Sequence, residues 1–265
     1  MTTDPPSAPF NFLTRAALSY AALLDTPLAH PDTGLGGKLF YAAELDEEGR
    51  ALLVAANIAG AATLAASADR DAQKQALRDG VADFVVTNLD EALRILKNQL
   101  RKRETVAICI AQAPSEIERE INQRGVAPDL LRIDLSVPPH HKAFALHQSE
   151  ETELNLSKIP ALVTWRVDSA LPKDLALLDE IALACLDPNL GPDELKSRRW
   201  LHLAPRYLGR LAHGLRLLET HREFNARFLE RLDELTDRNE ITFAFEIVSY
   251  FQGTHDTYRF AATKP

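Results

Sequence analysis

The chain has 265 residues, and its 30 Lys plus Arg stand against 38 Asp plus Glu, a formal charge of -8 that speaks against a general nucleic-acid binder. Apolar residues at 46% and charged residues at 26% supply a real core and exclude a disordered chain. The two cysteines, Cys109 and Cys185, are too few for a disulfide framework or a cysteine metal cluster.

The opening MTTDPPSAPFNF is polar and proline-bearing, unlike the basic-then-apolar start of a signal peptide. No apolar run approaches the roughly 18 residues of a membrane span. A soluble, cytoplasmic protein is expected, with no membrane and no nucleic acid among its partners. Residues 1–10 read as a tail, and Phe12 to Leu24 has helical spacing that stops before Pro27. DTPLAHPDTGLGG is a loop by its prolines and glycines. From Lys38 short apolar runs alternate with longer helical ones. KLFYAAEL reads as a buried strand, and ALLVAANIAGAATLAA as an apolar helix running into a second strand. RDAQKQALRD is a polar-faced helix ended by Gly80, VADFVVT a short strand, and LDEALRILKNQLRKR an amphipathic helix. TVAICIAQ has the continuous, β-branched character of a central parallel strand. SEIEREINQRG reads as a helix with Ser115 at its N-cap, Glu118 in the capping-box position and Gly125 at its end. LLRIDLSV is a further strand, and VPPHH breaks it.

Strands alternating with helices in this way predict an α/β, Rossmann-like parallel sheet with flanking helices. After Pro139 the pattern changes. ALVTWRVDS reads as a strand, and 173–186 and 193–236 as mostly helical, interrupted by Pro188, Pro192 and Pro205. ITFAFEIVSYF and TYRFAAT flank a glycine turn and predict a terminal β-hairpin. The expected division is 1–34 for tail and first helix, 35–140 for the Rossmann-like domain, and 141–265 for a helical region closed by the hairpin.

Lys38 at the first strand, VAANIAGAATL, then T-N-L-D-E-A-L-R-I (87–95), A-I-C-I, and A-P-S-E-I leading into R-G-V-A-P-D (124–129) follow one another without gaps. In this order, from about Gly37 to Leu131, the sequence resembles the NAD-binding Rossmann-like domain of the urocanase (urocanate hydratase) family. Phe12, Ala16 and Tyr20 echo the helix before that domain. The resemblance implies an NAD pyrophosphate cradled by a glycine-rich loop after the first strand. Here that stretch is Glu44, Leu45, Asp46, Glu47, Glu48, Gly49 and Arg50, with one glycine left. Like charges at the spacing of a carboxylate and a phosphate repel by roughly 3–4 kcal/mol per pair before screening. Arg50 is expected to offset one of them. The family's acidic residue for the adenosine ribose falls on Ser67. The resemblance further implies a core domain carrying a catalytic acid, and no stretch of the sequence resembles one. The expectation is therefore the fold without the activity, no catalytic residue, and no cofactor, NAD entering only under the competing reading below.

No metal site is expected. Glu44, Asp46, Glu47 and Glu48 lack the spaced ligands of a calcium loop and read as a solvated turn. Adjacent His140 and His141 point to opposite sides of an extended chain, and no acidic or cysteine partner lies at zinc spacing from them or from His147. Cys109 and Cys185 read as small buried hydrophobes.

The segment 195–218, LKSRRWLHLAPRYLGRLAHGLRLL, holds Lys196, Arg198, Arg199, Arg206, Arg210 and Arg216 without one acid. Arg199, Trp200, His202, Arg206, Tyr207, Arg210 and His213 are candidates for holding a carboxylate or phosphate, with arginine bidentate and an aromatic ring stacking. Leucines at 208, 211, 215 and 218 equally fit an amphipathic helix with its cations outside, continued through Phe228, Leu232 and Leu235 as a dimer seam. Three functions follow: a urocanase-like binder of a small anion or protein partner, an NAD-dependent lyase of urocanate hydratase type with an altered loop, and a structural subunit of a homo-oligomer or of a larger complex.

Overall fold

Strands that are apolar throughout must be covered on both faces, and the helices between them supply that cover. The computed structural model describes residues 8–132, 144–146, 161–168, 171–186, 191–251 and 254–262, and the chain divides into two units. Among the described residues, 15–132, 144–146 and 204–211 make up the first, and the others make up the second.

Helix α1 (Ala8–Leu24) is followed by β1 (Leu39–Glu44), α2 (Glu47–Ala59), β2 (Ala62–Ala66), α3 (Arg70–Asp79) and β3 (Phe84–Val86). Next come α4 (Leu89–Lys102), β4 (Ala107–Ile110), α5 (Pro114–Arg124), β5 (Leu130–Arg132) and β6 (Phe144–Leu146). The six strands form one parallel sheet in the order β3-β4-β2-β1-β5-β6, so the Rossmann-like reading holds. Tyr41, Leu64, Ile108 and Ile110 face one side, where Leu89, Leu96, Ile117 and Ile121 of α4 and α5 cover them. Asn88 caps α4 by accepting the Glu91 N–H at 2.9 Å, and α3 ends at Gly80 in the left-handed conformation.

The start of α5 differs from the expectation. Pro114 is its first residue and Ala113 its N-cap, without a side-chain cap bond, so Ser115 already lies inside the helix. Proline presets the first-turn φ and lacks an N–H that would have no partner there. Glu118 is consequently no capping-box residue. It accepts a hydrogen bond from the buried Tyr41 hydroxyl, at 3.4 Å. Burial raises the Glu118 pKa from the ordinary value. A raised folded-state value favours the protonated form, so that contribution is present below the unfolded value of about 4.3 and is lost as pH rises through the folded one. Glu118→Gln is expected to shift the urea midpoint upward at neutral pH. Titrating the pair of proteins should show the gap closing below about pH 4.

The second unit holds β7 (Leu162–Val167), α6 (Pro172–Cys185), most of α7 (Pro192–Leu208), β8 (Leu215–Glu219), α8 (Arg222–Asp237), β9 (Phe245–Phe251) and β10 (Thr254–Phe260). The terminal hairpin forms as expected, but within a four-stranded antiparallel sheet ordered β10-β9-β7-β8. The region is therefore less helical than its leucine spacing predicts. A short 3-10 turn, Gly209–Ala212, follows α7, and left-handed φ angles of 46° at His213 and 77° at Gly214 end the helical course. Leu215 and Leu218 lie on β8, so no single helical seam joins Leu208 to Leu235. Pro192 opens α7, whereas Pro205 lies inside it without ending it.

Trp165 is fully buried and meets Phe228 edge-on at 5.4 Å. Its indole N–H donates to Asp179 Oδ1 at 2.9 Å, and Arg216 Nε donates to Oδ2 at 2.9 Å. Both oxygens of this buried carboxylate are thus engaged. Among the described residues, no helix is long and apolar enough to cross a membrane.

Candidate functional site

In an open α/β sheet, ligands bind beyond the carboxyl ends of the strands, where the winding reverses. Here that place is the end of β1, which has β2 on one side and β5 on the other. A register shift falls between Tyr41 and Glu44, and Ala43 in that bulge has φ 60°. Only Leu45 and Asp46 separate β1 from α2. Gly49 is explained by close approach: a Cβ there would stand 1.9 Å from the Glu44 carbonyl oxygen.

Asp46 is the N-cap of α2, its Oδ1 accepting the Gly49 N–H at 2.7 Å. The same carboxylate takes a two-pronged contact from Arg132, with Nη1 at 2.8 Å and Nη2 at 3.1 Å. Nη2 also donates to Glu48 Oε2 at 3.2 Å. Arg132, at the end of β5, is only 7% exposed. Glu44 accepts the N–H of Leu45 at 3.0 Å, and the exposed Glu47 lies 3.9 Å from Arg15. Arg50 does not offset this acidic turn; it pairs with Asp79. The compensating cation is Arg132, hidden from sequence reading inside an ordinary strand pattern.

NAD, which the resemblance implies, does not fit this arrangement. The Gly49 amide that a pyrophosphate would use is bonded to Asp46, and Asp46 and Glu48 already surround the one guanidinium. Ser67 is buried at the end of β2; its Oγ accepts the Asp69 N–H at 3.3 Å and its carbonyl accepts from Gln73 at 2.7 Å. The nearest carboxylate in sequence, Asp69, caps α3 through the Asp71 N–H at 2.8 Å.

The basic candidates are divided between the units. Arg199, Trp200, His202 and His213 belong to the second, and Arg206, Tyr207 and Arg210 to the first. Trp200 is 3% exposed and donates its indole N–H to the Leu217 carbonyl at 2.6 Å. Tyr207 shares a 2.6 Å hydrogen bond with Thr105. Arg199 is half-buried, whereas His202 and His213 are exposed. The exposed Arg206 lies over the Tyr207 ring, 5.3 Å from its centre, and the exposed Arg210 reaches the Arg78 carbonyl at 3.5 Å. Arg216 is spent on Asp179, Lys196 on Asp193, and Arg198 on the Leu186 carbonyl.

Cys109 is buried in β4, and burial with the nearby Glu44 charge pushes its thiol up to about 11. Burial likewise raises the Cys185 thiol, so neither is activated as a nucleophile. His140, His141 and His147 lie outside the described residues. Among the described residues, no three His, Cys, Asp or Glu side chains are grouped to hold a metal ion.

The segments that carry the resemblance hold the fold together. Asp90 and Glu120 both pair with Arg124, tying α4 to α5. Asp129 accepts from Lys38 Nζ at 3.1 Å and from the Leu39 N–H at 2.9 Å, which fixes β1 beside β5. A comparison with protein-family models extends the likeness in both directions: the urocanase family's model of its Rossmann-like domain matches residues 19–159, more than half of the sequence. By that match and by its parallel sheet, the chain belongs to the urocanase family through its Rossmann-like domain.

Proposed function

We propose that this urocanase-family protein acts by binding and does not hydrate urocanate with NAD. The observation that carries this reading is the end of β1, where Arg132 is committed to Asp46 and Glu48 and the helix amide to Asp46. The ligand we assign is a small anion, held by the exposed guanidinium groups of Arg206 and Arg210, with the protein resident in the cytoplasm. Both arginines belong to the Rossmann-like unit, and neither is paired with a carboxylate in a described contact. An exposed arginine fork matches carboxylate and phosphate geometry.

Thermal melts with NAD, urocanate, citrate and phosphate test this reading. A ligand at about 100 times its Kd stabilises by about 2.7 kcal/mol, enough to move a midpoint visibly. NAD is expected to leave the midpoint unchanged, and at least one carboxylate or phosphate to raise it. Arg206→Ala with Arg210→Ala should abolish that rise while the unliganded midpoint stays close to the parent's. Stabilisation by NAD or urocanate would instead favour an NAD-dependent lyase with an altered loop.

A second reading, a structural subunit of a homo-oligomer, draws on the polar atoms of Trp200 and Tyr207, which bond within the chain. It predicts no response to any of these anions and a mass in solution above that of one chain.

A further inference from the structure

We infer that the Asp46 carboxylate is a built-in substitute for a bound phosphate, and that the Rossmann-like domain carries its own anion at the site where such sheets take a ligand. This rests on the reading above that the chain does not use NAD, and it says why. Three devices that ordinarily receive a phosphate converge on one carboxylate. The Gly49 N–H in the first turn of α2 donates to it at 2.7 Å. The thirteen-residue helix α2 directs its positive end toward it. Arg132 grips it with two nitrogens at 2.8 and 3.1 Å.

An N-cap aspartate needs only the helix amide. The guanidinium is an addition, and its 7% exposure makes it a costly one unless an anion stays beside it. Asp46 and Glu48 meet that need, both lying within ion-pair distance of it. An incoming anion would therefore meet two carboxylates already seated on the guanidinium it needs. Without the two carboxylates the Arg132 fork would fit a phosphate as well as it fits a carboxylate. Being tethered, Asp46 competes at a high effective concentration that a free anion must exceed. Closure to phosphate is thus a matter of two side chains, while the underlying anion-binding backbone persists.

The test is Asp46→Ser combined with Glu48→Gln in the full chain. Serine caps α2 with a neutral, rotatable hydroxyl that a phosphate oxygen displaces from the Gly49 amide, so α2 keeps its start in the free protein. Inorganic pyrophosphate is the probe, added at constant ionic strength to remove general screening. Every variant is made with Arg206→Ala and Arg210→Ala also in place, so that the exposed arginines do not respond, and in that background the otherwise unchanged protein is expected to melt at the same temperature with and without it. The double variant should gain several degrees, and adding Arg132→Ala should return it to indifference. A folded double variant that ignores pyrophosphate overturns the inference, as does a gain that survives the loss of Arg132. Should the serine variant fail to fold, Asp46→Asn with Glu48→Gln keeps the shape and removes the same charges, and is judged by the same gain. The two failures remain distinct: a parent stabilised by NAD defeats the binding reading as well, whereas an indifferent variant beside an NAD-indifferent parent defeats only the built-in phosphate substitute.

Discussion

Alanine at Gly49 is expected to destabilise the protein by about 3 kcal/mol, lowering the melting temperature by on the order of 10 °C. The usual sign is the opposite, because alanine in place of a helical glycine gains about 1 kcal/mol. Here the added Cβ would stand 1.9 Å from the backbone oxygen of Glu44, with Asp46 Oδ1 at 3.2 Å. A carbonyl at the end of β1 cannot swing aside as a long side chain would. Relief requires the start of α2 to move off β1, and that movement pulls Asp46 away from Arg132. Urea unfolding followed by circular dichroism measures the effect. A midpoint equal to or above the parent's would refute the close-approach explanation of this glycine.

Asp179→Ala is expected to cost about 3–5 kcal/mol, the range found when one partner of a buried ion pair is removed. The loss leaves Arg216 without its carboxylate and the Trp165 indole without an acceptor. Burial raises the Asp179 pKa even with Arg216 and Trp165 opposing it, so the folded unit bears a desolvation cost that the intact pair only partly offsets. Exchanging both charged residues for leucine should accordingly recover most of the loss, less about 1–3 kcal/mol for the stranded indole. The two tryptophans of the sequence, Trp165 and Trp200, both belong to the second unit, so their fluorescence follows its unfolding directly. A loss below 1 kcal/mol in Asp179→Ala would mean that water reaches Arg216.

The parallel sheet was legible because its cues are local. AICI is apolar at every position, as a strand covered on both faces must be, and Gly80 and Gly125 mark helix ends through a left-handed φ. Strand β8 was not legible, because leucines at 208, 211, 215 and 218 satisfy helical spacing although the first closes α7, the second lies in the 3-10 turn and the last two lie on a strand. The His213–Gly214 pair was the available signal for that break. That the turn after β1 holds a single glycine among acidic residues was also readable, from residue types alone. The contact that holds this turn was not, since Asp46 and Arg132 lie 86 positions apart and meet through the pairing of β1 with β5. Ser115 misled because Pro114 starts the helix two residues earlier than an N-cap at Ser115 requires.

Residues 204–211 belong with the parallel sheet, although they come after the first strand and two helices of the other unit. The Rossmann-like unit is therefore discontinuous in the chain, and no single cut by a protease can release it whole. A fragment ending before residue 204 would lose the Tyr207 hydroxyl that meets Thr105 and the guanidinium that meets the Arg78 carbonyl. During synthesis, too, the unit lacks those eight residues until β7, α6 and the first part of α7 have been made, so it cannot finish folding on its first stretch alone.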